Sequence, residues 1–268
     1  MLTANRDWTV IVEVNPPDLP DMSHLLLEGA WTHVLVTDNV FGKIRVSPYA
    51  YSARITHDVP SVHPTVVVST RDRNILAIES EVRGALGNGV NSFLVVVGDT
   101  MPQVDHLADH REVVRHLRDL QGRTPAFEVG VPTRFKSYDF HRQVDSGAEF
   151  FVAGPLLDPS TVGEQIAKLQ MRDGDPPLYV MVIPPFSPGW VEQMESVGAI
   201  PCSDRLKADL AGLPSEDRRA FGWSVATATA AAARREGAAG VVLMGLHFDT
   251  VIDEAAEAWR SGSQRDPG

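Results

Sequence analysis

The sequence predicts an α/β protein built as a single (β/α)8 TIM barrel over residues 1–260. Three observations predict it. First, eight short apolar runs recur along the chain, at Thr9–Val14, His33–Thr37, Thr65–Ser69, Phe93–Val97, Ala126–Val131, Glu149–Ala153, Leu178–Ile183 and Gly240–Met244. Second, these runs are mostly β-branched and nearly continuous in apolarity, as parallel strands covered on both faces are. Third, most gaps between them are long enough for a crossover helix, and about 250 residues is the usual size of such a barrel. A doubly wound open sheet stays open as an alternative, because periodicity does not report closure.

Taken in order, the first run ends in Glu13-Val14-Asn15-Pro16-Pro17 and the second in Thr37-Asp38-Asn39. After the third run, Thr70 or Asp72 is placed to cap a helix. Ile75, Ile78, Val82 and Leu86 then share one helical face, and Gly87 and Gly89 supply the stop. The fourth run ends in Gly98-Asp99, and the fifth carries Glu128 between Phe127 and Val129. The seventh is followed by a proline-rich stretch, Pro184 to Pro214, which reads as irregular. An alanine-rich helix from about Ser215 to Arg235 ends at Gly237 and leads into the eighth run. Ser261 to Gly268 reads as a disordered tail.

Composition narrows the partners. The 268 residues hold 24 Lys+Arg against 35 Asp+Glu, a net charge of −11, which disfavours the polyanionic surfaces of nucleic acid and membrane. One cysteine, Cys202, excludes an intrachain disulfide and a multi-cysteine metal site. No apolar stretch approaches the roughly 20 residues of a membrane helix, and Met1 to Trp8 lacks a signal-peptide pattern. A cytoplasmic enzyme or binder is the expectation.

Barrel enzymes place their chemistry at the C-terminal ends of strands. Glu13 stands out there, as a carboxylate inside Val10-Ile11-Val12-Glu13-Val14. Partial desolvation raises a carboxyl pKa and suits a general acid; an edge carboxylate or one paired with arginine is the plainer reading. Asp99 follows Gly98, which permits close approach of backbone to a ligand, and a helix-cap or turn role is at least as good. Glu128 reads equally well as half of a buried ion pair. His106 and His110, four apart in a polar run, read as a solvated helix face rather than a metal site. Cys202 has no activating partner and reads as structural. Phe186 and Trp190 either stack a flat ligand or pack beneath the excursion.

Several of these strand ends resemble those of the methylenetetrahydrofolate reductase family, over nearly the whole chain. The segments concerned are Val12-Glu13-Val14-Asn15-Pro16-Pro17, His63-Pro64-Thr65, Arg71-Asp72-Arg73-Asn74, Gly98-Asp99 and Val144-Asp145-Ser146-Gly147-Ala148. The resemblance implies a (β/α)8 barrel that binds FAD, takes hydride from NADH or NADPH and reduces 5,10-methylenetetrahydrofolate. It implies Glu13 as the general acid, Asp99 near flavin and pterin, and Thr37, His63 and Thr65 lining the flavin site. Trp190 falls near a substrate-stacking aromatic.

Three departures bear on the cofactor and substrate. Gly154 stands where the family carries a folate-contacting glutamine. The segment from Pro132 to Val144, which helps hold the adenine half of FAD, is several residues short. The usual tyrosine is not evident in Gln103 to Asp109. Three readings follow: a reductase using NAD(P)H by way of FAD or directly; a barrel repurposed for non-redox chemistry on a folate or other one-carbon substrate; and a non-catalytic ligand-binding barrel. An anionic folate asks for basic residues at the mouth, with Lys43, Arg45, Arg71, Arg134 and Lys136 as candidates. A homo-oligomer is compatible with the family.

Overall fold

In the computed structural model, residues 1–4, 7–19, 21, 23–99, 109–198, 200–244, 256–257 and 259 are described. Eight parallel strands close into one barrel in sequence order. They are β1 (Thr9–Val14), β2 (His33–Val36), β3 (His63–Ser69), β4 (Ser92–Val96), β5 (Glu128–Thr133), β6 (Phe150–Leu156), β7 (Leu178–Val182) and β8 (Gly240–Leu243). All eight predicted runs are strands, with ends shifted by a few residues. The pairing of β1 with β8 excludes the open-sheet alternative.

Helices cover the outside: α1 (Pro48–Asp58), α2 (Ile75–Gly87), α3 (His110–Gln121), α4 (Ser137–Val144), α5 (Val162–Ala167), α6 (Pro188–Gly198), α7 (Asp204–Gly212) and α8 (Arg218–Arg235). Among the described residues, the link from β1 to β2 holds a 3-10 turn, Ser23–Leu27, and no α-helix. In α2 the predicted face is the buried one, with Ile78, Val82 and Leu86 packed inward. Its cap is neither Thr70 nor Asp72: the Asn74 side chain accepts the Ala77 N–H at 2.9 Å. The stretch from Pro184 to Pro214 is not irregular, since it contains α6 and α7. The prolines punctuate these helices instead of preventing them, Pro188 falling in the first turn of α6, where a missing N–H costs nothing.

Two cores result. The outer one lies between strands and helices. The inner one fills the barrel with Leu2, Ile11, Leu35, Val67, Leu94, Phe150, Val152, Tyr179 and Val242. Large residues sit over small ones across neighbouring strands: a Cβ on Gly130 would lie 2.3 Å from the Phe150 ring, and one on Gly240 would lie 3.0 Å from Tyr179.

Register fixes which end each polar residue occupies. The row of paired positions starting at Glu13 runs through Leu35, Thr65 and Ser92 to Glu128. Strands in such a barrel tilt by roughly 36°, so a row descends as it circles. Glu13 therefore stands towards the C-terminal mouth and Glu128 at the floor.

Glu128 is 1% exposed, and among the described residues hydrogen bonds, with no ion pair, meet its carboxylate. Its carboxylate accepts the Leu2 N–H at 2.6 Å, and the Thr3 N–H and hydroxyl at 2.9 and 2.8 Å. Tyr179 donates to the Leu2 carbonyl at 3.2 Å. The first residues thus plug the floor, and Glu128 is the peg that holds them. Hydrogen bonds to a charged group contribute about 1.5–3 kcal/mol each, so Glu128→Ala is expected to cost at least about 2 kcal/mol in urea unfolding. Leu2 and Thr3 should lose hydrogen-exchange protection together.

Candidate functional site

The mouth is built from the ends of β1 to β4 and β6. Ile11 belongs to the inner core, and Glu13, two residues on, points the same way. Glu13 is half-buried, in keeping with a partly desolvated carboxyl. Beside it, the Thr37 hydroxyl donates to Asn15 Oδ1 at 2.6 Å, joining β1 to β2. Asp99 is exposed just beyond β4, and its Oδ2 accepts the Phe41 N–H at 2.5 Å. The structure thus puts Glu13, Thr37 and Asp99 at one end of the barrel.

His63 and Thr65 do not join them. His63 opens β3 at the floor, exposed, with its ring 5.4 Å from that of His33. Thr65 is buried in the lumen and donates to Ser92 Oγ at 3.0 Å. The mouth-facing position on β3 is Ser69, four residues beyond Thr65. Alternation along a strand repeats every two residues, so the shift keeps the inward face and changes only the height. Burial pushes the His33 imidazole down to about 4, with His63 pushing the same way.

Arg71 organises this rim. Its guanidinium donates to the Asp99 carbonyl at 2.8 Å and to the Asn39 carbonyl at 3.3 Å. Behind it, Arg73 pairs with the buried Asp38 at 2.5 Å and with Glu81 at 3.1 Å. Burial works against the Arg73 charge, but Asp38 outweighs it and holds the guanidinium more firmly protonated. Burial also pushes the Glu81 carboxyl up, and Arg73 only partly offsets this. The segment Arg71-Asp72-Arg73-Asn74 is therefore a clamp: Arg71 ties the β2 and β4 ends, Arg73 ties Asp38, and Asn74 caps α2.

Gly98 is required by both conformation and space. Its φ is +86°, and a Cβ would lie 2.3 Å from Ser69 Oγ and 3.2 Å from Arg71 Cβ. Gly154 also faces the mouth, at φ +124°, where a Cβ would meet the Met181 carbonyl at 3.1 Å. A glutamine does not fit this backbone, so the position offers main-chain groups only. Trp190 lies in α6, half-buried against the cluster of Leu157, Ile183, Val191, Ile200, Leu206, Leu210 and Val225. Phe186 packs on Trp223 at 5.5 Å. Packing accounts for Phe186.

The helical excursion hangs on Asp158. Its carboxylate accepts the Ser203 N–H at 2.7 Å and the Ser160 N–H and hydroxyl at 2.8 and 2.7 Å. Burial pushes its pKa up, but these hydrogen bonds outweigh burial and hold it below the ordinary range. Cys202, next to Ser203, is a half-buried thiol pushed up to about 11, chiefly by burial.

A second feature lies outside the barrel wall. A cleft is lined by His110 and Arg111 from the start of α3 and by Asp139, Arg142 and Gln143 along α4. Arg111 is folded back onto Asp109 at 2.9 Å. His106, expected from the sequence to share a solvated helix face with His110, lies outside the described residues. No group of described residues has the make-up of a metal site. Lys43, Arg134 and Lys136 are exposed on loops after β2 and β5, whereas Arg45 is paired with Asp18. Among the described residues, no helix is long and apolar enough to cross a membrane.

Asn15, Ser69 and Phe41 had no role assigned from sequence. Alternation from Glu13 would have found Asn15, and counting back from Arg71 would have found Ser69. Nothing in the sequence marked Phe41.

No family model and no curated protein matches the chain. Solved structures do. An uncharacterised protein from Clostridium thermocellum that binds two copies of 5-methyl-5,6,7,8-tetrahydrofolic acid superposes with a TM-score of 0.64 at 12% identity, covering 98% of each chain. A 2,3-dimethylmalate lyase of the PEP mutase/isocitrate lyase superfamily gives 0.54 at 13% identity, over 98% of this chain and 81% of that one. A structure described as native KDPGal gives 0.51 at 13% identity, over 96% and 99%. At such identities the likeness shows the barrel fold.

Three outcomes are expected. Gly98→Ala adds a clash and a left-handed non-glycine residue, and should cost about 1–3 kcal/mol. His33 should titrate near 4 by NMR. Native His33 stays neutral while the unfolded chain takes up a proton below about 6.5, so this site favours folding more as pH rises from 4 to 6.5. His63→Gln should raise the His33 value and flatten that slope. Asp158 acts in a lower range and with the same sign. Its contribution is full above about pH 4 and fades as pH falls through its lowered native value, so amide exchange near Ser203 should accelerate in acid.

Proposed function

We propose that the barrel mouth binds a reduced folate and acts on the one-carbon unit carried at its N5, by acid-assisted chemistry without net redox change. The observation that carries this reading is the pair of carboxyls at one mouth in unlike surroundings: Glu13 half-buried in the lumen and Asp99 exposed at the rim. Paired carboxyls in different surroundings suit different roles. An exposed carboxylate beside a rim is matched to the adjacent N–H donors of a pterin, which it can take two at a time. A half-buried carboxyl is matched to delivering a proton to N5, after which a nucleophilic co-substrate forms its bond to the carbon as the C–N5 bond breaks and its electron pair stays on N5 of the released folate. The folate bound by the Clostridium thermocellum protein, and the lyase among the similar barrels, support this reading over a reductase.

A second reading keeps the reductase. The cleft between α3 and α4 favours it, since Arg111 and Arg142 flank a space that suits a phosphate-bearing half of NAD(P)H or FAD. The cleft lies beside the segment from Pro132 to Val144 that the resemblance assigns to the adenine half. Such a cofactor would supply hydride transfer, with Glu13 still the proton donor.

Titration calorimetry with 5-methyltetrahydrofolate tests the shared part. Binding is expected, weakened about 10- to 100-fold in Asp99→Asn by loss of charge-assisted hydrogen bonds. Glu13→Gln should bind within a few-fold of wild type and lose at least about 100-fold in turnover of an isotope-labelled one-carbon unit. Consumption of NAD(P)H with 5,10-methylenetetrahydrofolate would decide for the reductase. Absence of any reduced-folate binding would end both readings.

A further inference from the structure

Phe41 combines two properties that folding does not explain. Its backbone is left-handed, with φ 54° and ψ 28°. A bulky residue is an outlier there, because its Cβ crowds the following carbonyl. Its side chain is also 74% exposed, so burial does not offset the strain. The other described non-glycine residues at positive φ are Asn39, Asp72 and Gln170. Asn and Asp tolerate this region through short local hydrogen bonds. Leu19 and Ile44 are exposed as well, at 76% and 88%, but their φ is not positive. Scattered exposed hydrophobics of that kind are ordinary.

The segment around Phe41 is held from both sides. The Gly42 N–H donates to the Asn39 carbonyl at 3.0 Å, and the Lys43 N–H to the Val40 carbonyl at 3.2 Å. The Arg45 N–H donates to Asn39 Oδ1 at 2.8 Å, and the Val46 N–H to the Pro17 carbonyl at 2.9 Å. Arg71 reaches the Asn39 carbonyl, and the Phe41 N–H itself donates to Asp99. Strain kept in place by surrounding bonds is a mark of binding and catalytic positions.

We infer that Phe41 is a ligand-contact residue of the mouth, one wall against which a flat conjugated heterocycle stacks while Asp99 takes that ring's N–H donors. The inference rests on the folate reading and deepens it, since it assigns the wall that the pterin meets. The bond from the Phe41 N–H to Asp99 couples the two contacts, so the backbone from which the phenyl projects is held beside the carboxylate that orients the ring. Offset or edge-on contact with a heterocycle needs ring centres within about 4.5–7 Å, a spacing a rigid strap can set and a loose loop cannot.

The test compares Phe41→Gly and Phe41→Trp with wild type, by titration with 5-methyltetrahydrofolate and by thermal unfolding without ligand. Glycine is unstrained at this φ, so Phe41→Gly should unfold at the same or a higher temperature. It should bind about 10- to 100-fold more weakly, the loss expected for removal of one stacking aromatic. Phe41→Trp should bind within about 3-fold of wild type, with its indole emission changing on saturation. Wild-type affinity in Phe41→Gly would overturn this inference and leave the folate reading standing. A clear fall in the melting temperature of Phe41→Gly would also overturn it, by making the ring a support of the fold. A wild type that binds no reduced folate would overturn both.

Discussion

Closure of the tilted sheet is the constraint on which everything else in this molecule depends. Once β8 pairs with β1, every inward residue has a fixed height as well as a fixed face. The same row that puts Glu13 near the mouth delivers Glu128 to the floor. Two carboxylates in similar apolar strands thereby acquire unrelated tasks. One faces the mouth of the barrel, and the other is met by backbone donors of the first residues.

The rim is held by charge more than by packing. Arg71 and Arg73 reach in opposite directions from one short segment, the first to carbonyls of the neighbouring strand ends and the second to the buried Asp38. A buried pair of this kind is costly to break from one side, because the remaining charge is left without a partner. The described ends of β2, β3 and β4, as far as Asp99, are consequently tied to one another. Asp99 inherits its position from these ties, through the carbonyl that Arg71 grips and the N–H that Phe41 supplies.

Most of the fold was legible because strand identity is written in apolar continuity, which survives without knowledge of neighbours. All eight runs became strands for that reason. Height along a strand is written nowhere locally, and here sequence reasoning ran out. His63-Pro64-Thr65 has the look of a mouth motif, yet it opens β3 at the floor, and Ser69 occupies the end that matters. The excursion after β7 was misread because prolines count against helix interiors but not against first turns. Asn74 was passed over as a cap in favour of Thr70 and Asp72, which are equally good by residue type. Phe41 was invisible, since its importance lies in a backbone angle and no side-chain pattern announces it. The approach of Glu13 to the lumen was legible from alternation alone, whereas its substrate is a matter of chemistry at the rim.

Gly154 has an implication for how such sites change through time. Its positive φ strains any side chain placed there, and the Met181 carbonyl, 3.1 Å from where a Cβ would stand, would have to give way to one. A barrel that reads its ligand here through an amide side chain and one that reads it through main-chain groups are therefore not separated by a single codon. Passing from one to the other means rebuilding the end of β6, with its bulge against β7, and an intermediate carrying only the substitution is penalised in both states. A side chain can return to this corner only together with a change in the backbone that carries it.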